Sequence, residues 1–137
     1  MSNRTLFHSL QFEDARRAMT FLQAVGFTEA LVVADPDDAT VVHHAQYNWR
    51  DTGGVMFGTR RGDRQGGNPD GFVDSTGQGQ CYCVVADDAE VDEVFERALA
   101  AGATPVRAPA DEDYGGRGCT VRDIEGNQWS FGSYPGE

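Results

Sequence analysis

Residues 121–132 read VRDIEGNQWSFG, and residues 50–58 read RDTGGVMFG. Both run Arg-Asp, a turn with glycine, an apolar residue, one variable residue, then Phe-Gly, so Met56 and Ser130 occupy equivalent places in two copies of one hairpin. Outward from the first copy, TLFHSLQF (5–12) reads as a strand, and Asp14 can cap the helix that follows. In ARRAMTFLQAV (15–25), Ala15, Ala18, Leu22 and Val25 recur at helical spacing, with Phe21 widening the stripe. Gly26 supplies the left-handed residue that ends a helix. ALVVA (30–34) is then a strand, DPDDA a break, and TVVHHAQYNW (40–49) and VMFGT (55–59) the two arms of the hairpin.

The second copy has the same order. CYCVVA (81–86) is a strand, and Asp87 and Asp88 offer a cap. AEVDEVFERALAA (89–101) puts Val91, Val94, Phe95, Ala98 and Leu99 on one face, and Gly102 ends it. ATPVRA (103–108), GCTVRD (118–123) and NQWSFGSY (127–134) complete the set, with PADEDYGGR (109–117) as an irregular loop. Between the copies, RRGDRQGGNPDGFVDSTGQGQ (60–80) has almost no periodicity and reads as a linker. The expected architecture is α+β, a single domain over 1–137. Two βαβββ modules, about 4–60 and about 80–135 around a linker of about 61–79, form a curved antiparallel sheet around a cavity, with helices on its outer face.

Composition removes several function classes. With 39% hydrophobic and 24% charged residues the chain is of ordinary globular composition, and no apolar run approaches the ~20 residues needed to span a bilayer. Eleven basic residues against 22 acidic ones give a net charge of −11, which repels nucleic acid and anionic lipid. The opening MSNRTLFHSL lacks a basic segment followed by an apolar core of signal-peptide length, so the cytoplasm is the expected location. Three cysteines without CxxC spacing give neither a disulfide framework nor a zinc ribbon.

The order of elements, FEDARRAMTFLQAVGF (12–27), and AAGATPVRAPADEDYGGRGCTVRDIEGNQWSFG (100–132) together resemble the vicinal oxygen chelate superfamily. That superfamily includes glyoxalase I, extradiol dioxygenases, fosfomycin resistance enzymes and bleomycin-binding proteins. The resemblance implies a cavity on the concave side and, in metal-dependent relatives, His, Gln or Glu ligands from the first and last strand of each half. Carried onto this chain, those positions fall on Phe7, on Cys81 or its neighbour Tyr82, on Met56 and on Ser130. Phenyl and thioether groups are not ligands for a hard divalent ion, and serine is a poor one. No cofactor is therefore expected, a divalent metal belonging only to the alternative of a glyoxalase-like lyase or isomerase, or a dioxygenase, with a rearranged site using His8, His44 or Cys81. His8 shares parity with Leu6, Leu10 and Phe12, which suggests a helix-facing row, whereas Phe7, Ser9 and Gln11 would face the cleft.

His44, Gln46 and Asn48 alternate with His43, Ala45, Tyr47 and Trp49. A polar row is expensive to bury against helices, so His44, Gln46 and Asn48 are expected to face the cavity. The resemblance also places a Tyr-Gly-x-Arg loop at the cavity rim, here Tyr114 and Arg117, which either contact a ligand or pin the loop, Arg117 through Asp111, Glu112 or Asp113. The expected function is binding of a small molecule, cationic or aromatic, lined by Phe7, His44, Gln46, Asn48, Trp49, Met56, Tyr114, Arg117 and Ser130, without a tightly bound metal. The family's habits add a homodimer.

Overall fold

The computed structural model describes residues 2–62, 70–71 and 73–137. The first module contains β1 (His8–Phe12), α1 (Ala15–Val25), β2 (Thr28–Ala34), β3 (Val42–Trp49) and β4 (Gly53–Thr59). The second contains β5 (Gln80–Val84), α2 (Asp88–Ala100), β6 (Thr104–Asp111), β7 (Arg117–Arg122) and β8 (Gln128–Gly132). Part of the linker, residues 63–69 and residue 72, lies outside the described residues.

Each module is a four-stranded mixed sheet, in the orders β1-β4-β3-β2 and β5-β8-β7-β6. Three strands of each run antiparallel, but the first pairs in parallel with the last, β1 with β4 and β5 with β8. The parallel pair follows from connectivity: a helix and two strands intervene, the long connection that parallel strands need. Residue by residue the sheets correspond. Ser9 is paired with Met56, and Tyr82 with Ser130.

The helices start and stop where local chemistry dictates. Asp14 accepts the N–H of Arg17 at 3.0 Å and Asp87 that of Glu90 at 2.9 Å, so each helix has a carboxylate cap. The residues after the helices that reverse the chain, Gly26 (φ 123°) and Gly102 (φ 101°), hold backbone angles that favour glycine.

One core serves both modules. Alternation along β3 and β4 turns Ala45, Tyr47, Trp49, Val55 and Phe57 toward the helices, and along β8 it turns Trp129 and Phe131 the same way; all are buried. Trp49 packs on Phe131 at 5.9 Å between ring centroids, and Trp129 on Phe21 and Phe27 at 6.0 and 5.8 Å, so each module's tryptophan is seated against aromatics of the other. Tyr47 donates to Glu29 at 2.9 Å, and burial beside that carboxylate pushes its phenol up to about 12. Asp123, itself buried, accepts the indole N–H of Trp129 at 2.9 Å and the Asn127 amide at 3.1 Å, anchoring the turn that opens β8. Among the described residues no helix is long and apolar enough to cross a membrane.

Candidate functional site

The face of the first sheet opposite the helices is built from four cross-strand rows. Phe7, Ser9 and Gln11 come from the β1 side, Gly54, Met56 and Gly58 from β4, Asn48, Gln46 and His44 from β3, and Leu31 and Val33 from β2. Gln46 stands directly across from Met56 and Asn48 across from Gly54. The Gln46 amide donates to Asn48 Oδ1 at 2.9 Å, linking the two amides along one strand without a charge. The Phe7 ring lies over Gly54, where a Cβ would come within 2.8 Å of it.

Over part of this face opens a cavity of about 1070 Å³, lined by Ser9, Gln11, His44, Met56 and Thr59, among others, and walled on one side by Val73, Ser75 and the Gly77–Gly79 segment of the linker with Asn127. Asn127 is 1% exposed and its Oδ1 accepts the N–H of Gly79 at 2.8 Å, holding that wall against the second module. The lining residues include hydroxyls, amides, the histidines His43 and His44, and the Met56 thioether. Arg61 also lines it, and among the described residues no Asp or Glu does.

The nine residues expected at one site fall in four places. His44 and Met56 line the cavity, with Gln46, Asn48 and Phe7 on the same sheet face. Ser130 belongs to the corresponding face of the second sheet, where its hydroxyl lies 2.7 Å from that of Thr120 and beside Tyr82. Tyr82 leans over Gly132, where a Cβ would meet its hydroxyl at 2.1 Å, and donates to the carbonyl of Tyr134 at 2.9 Å. Tyr114 is 58% exposed and stacks edge-on against Tyr134 at 5.1 Å, away from the cavity lining. Arg117 pairs with Asp111 at 3.3 Å and with Asp92 of α2 at 2.9 Å, so it pins the β6–β7 hairpin to the helix, through a partner that sequence reading did not name.

Trp49 requires a correction. Adjacent strand residues point to opposite faces, so Asn48 and Trp49 cannot both face the cavity. Trp49 takes the helix side, 8% exposed, with its indole N–H donating to the Val84 carbonyl at 2.8 Å. The rearranged metal set is separated in the same way. His8 meets Trp129 edge-on at 6.2 Å and Cys81 lies beside buried Cys83, both on the helix side, whereas His44 lines the cavity. Among the described residues no group of three or more His, Cys, Asp or Glu could hold a metal ion. The positions carried over from metal-dependent relatives, Phe7, Cys81 or Tyr82, Met56 and Ser130, supply no set of hard ligands for a divalent ion.

Ser9 and Gln11 were legible from the parity of β1. Asn127 and the linker wall were missed, since no period marks a loop that folds back over a sheet.

The comparisons agree with this fold. TioX from Micromonospora sp. ML1 is 32% identical, with 93% of this chain and 98% of that one covered and a TM-score of 0.66. A glyoxalase-related enzyme from Fulvimarina pelagi (18% identity, 95% and 87% covered, TM-score 0.69) and a lactoylglutathione lyase from Agrobacterium tumefaciens (20%, 95% and 92%, 0.65) share the fold. No curated protein matches the chain. The sequence profile of the Glyoxalase/Bleomycin resistance protein/Dioxygenase superfamily matches residues 5–131, nearly the whole length, and the chain belongs to that superfamily.

Proposed function

We propose that this protein binds a small aromatic molecule in the cavity of its first module and does so without a tightly held metal. The observation that carries the reading is the cavity itself. About 1070 Å³ of space is bounded by apolar groups and uncharged donors and acceptors, with Arg61 the one charged side chain among the described lining residues and the Met56 thioether beside them, in place of a converging set of hard ligands. A thioether beside amides suits a flat, polarisable ring with hydrogen-bonding edges. The lining lacks carboxylates among the described residues, so any preference for a cationic ligand comes from the long-range field of a net charge of −11 and weakens with salt. The cavity is open on one side, and a homodimer in which a second copy covers it completes the reading. The cytoplasm is its proposed location.

The test is a titration with 9-aminoacridine, a planar basic fluorophore, at low and high salt. Saturable binding of one molecule per chain, weakened about tenfold or more by Met56→Arg and unaccompanied by any product, is the expected result. Failure of a wider panel of aromatic compounds to bind, or turnover that a chelator abolishes, would overturn it.

A further inference from the structure

Cys81 and Cys83 project from the same face of β5, the face turned away from Tyr82 and Ser130, because they are two residues apart on a strand. Their sulfurs lie 3.9 Å apart. Cys83 is 4% exposed while Cys81 is only partly buried, so one sulfur is anchored in the core and the other is accessible. Cys119 belongs elsewhere, its thiol directed at the Val91 carbonyl at 3.9 Å.

A second observation falls on the same row. Gly79 is the next position along that face, and a Cβ there would come 3.3 Å from His8 Nε2. That nitrogen is buried and has no hydrogen-bond partner among the described residues. The row therefore presents the two sulfurs, with an unpartnered imidazole nitrogen over the next position, Gly79; among the described residues His8 does not join the cysteines in a three-ligand group.

We infer that Cys81 and Cys83 form a binding site for one soft, thiophilic cation of the copper(I) class. A structural zinc ion takes four ligands, and among the described residues no third His, Cys, Asp or Glu is placed to complete such a set. Soft ions are content with two thiolates, and thiolate donors select them. Metal–sulfur bonds of about 2.3 Å each place two sulfurs at most ~4.6 Å apart, so the observed 3.9 Å lies within the span one ion can bridge. A disulfide is the poorer use of the pair. Strand residues two apart have Cα atoms roughly 6.6–6.8 Å apart, the upper end of the range a disulfide tolerates, and β5 is held in register by β8. Binding releases the thiol protons to solvent and involves no electron transfer.

The experiment titrates the reduced protein with copper(I) under anaerobic conditions against a chromophoric copper(I) chelator, with native mass spectrometry to count bound ions. One copper per chain is expected, lost in Cys81→Ser and in Cys83→Ser and kept in Cys119→Ser. Cys81 is partly exposed, so its variant keeps the test valid should the buried Cys83 variant not fold. No uptake in competition, uptake unchanged in Cys81→Ser, or equal retention of zinc would overturn the inference. So would an as-purified protein lacking two hydrogens that takes up no copper after reduction. The site lies on the other face from the cavity, so Met56→Arg leaves copper uptake intact.

Discussion

The carboxylate of Glu125, at the tip of the last hairpin, accepts the backbone N–H of Asp14 at 2.8 Å, and its other oxygen accepts that of Glu13 at 2.7 Å. The first helix is thus capped from the second module, where unpaired N–H groups and the helix dipole favour a negative charge. The opposite junction has a weaker counterpart, with Arg50 of the first hairpin 3.9 Å from Glu90 at the start of the second helix.

Glu125→Ala removes two acceptors from exposed N–H groups and is expected to cost about 1–2 kcal/mol. Urea denaturation should show this as a lower midpoint. Glu125→Gln, which retains an acceptor without the charge, should lie between that variant and the parent.

Asp123 is 8% exposed and receives the Trp129 indole, the Asn127 amide and the backbone N–H groups of Glu125 and Asn127. An amide in its place presents N–H to donors. Asp123→Asn is therefore expected to destabilise by about 2 kcal/mol or more despite its near-identical shape, measurable by the same denaturation.

Trp49→Phe removes a buried indole and its bond to the Val84 carbonyl, for a loss of roughly 1–3 kcal/mol. Because Trp49 faces the helices, aminoacridine affinity should stay within about twofold of the parent, measured at a temperature where the variant remains folded. A large loss of affinity would return Trp49 to the cavity.

Burial lowers the pKa of His8 below its ordinary 6.5. Between the folded and the unfolded values the unfolded chain binds more protons, so the His8 contribution to stability falls as pH drops through and below 6.5 and is retained above it. Melting temperatures between neutral and mildly acid pH should decline less for His8→Phe than for the parent; parallel curves would refute the assignment.

The hydrogen bond between Cys83 and Cys81 lowers the Cys81 pKa, while that same contact and burial raise that of Cys83, and burial raises Cys119 to about 11. Since the thiolate is the reactive form, iodoacetamide should modify Cys81 first in the native protein, read by peptide mass spectrometry.

Much of the fold was legible in the chain itself. The paired hairpins around Met56 and Ser130, the caps Asp14 and Asp87, and the terminating Gly26 and Gly102 are local signals, each decided by a few consecutive residues, and periodicity assigned faces from them. Parity alone was enough to put His44, Gln46 and Asn48 opposite Ala45 and Tyr47, and the same rule, applied to Trp49, would have removed it from the cavity. Only tertiary structure decided the rest. That β1 lies parallel to β4, that Glu125 caps a helix in the other module, that Arg117 finds Asp92, and that Asn127 holds the linker across the first sheet are all contacts between residues far apart in sequence. Such contacts are set by how two modules bury one shared core, and no short window of sequence records them.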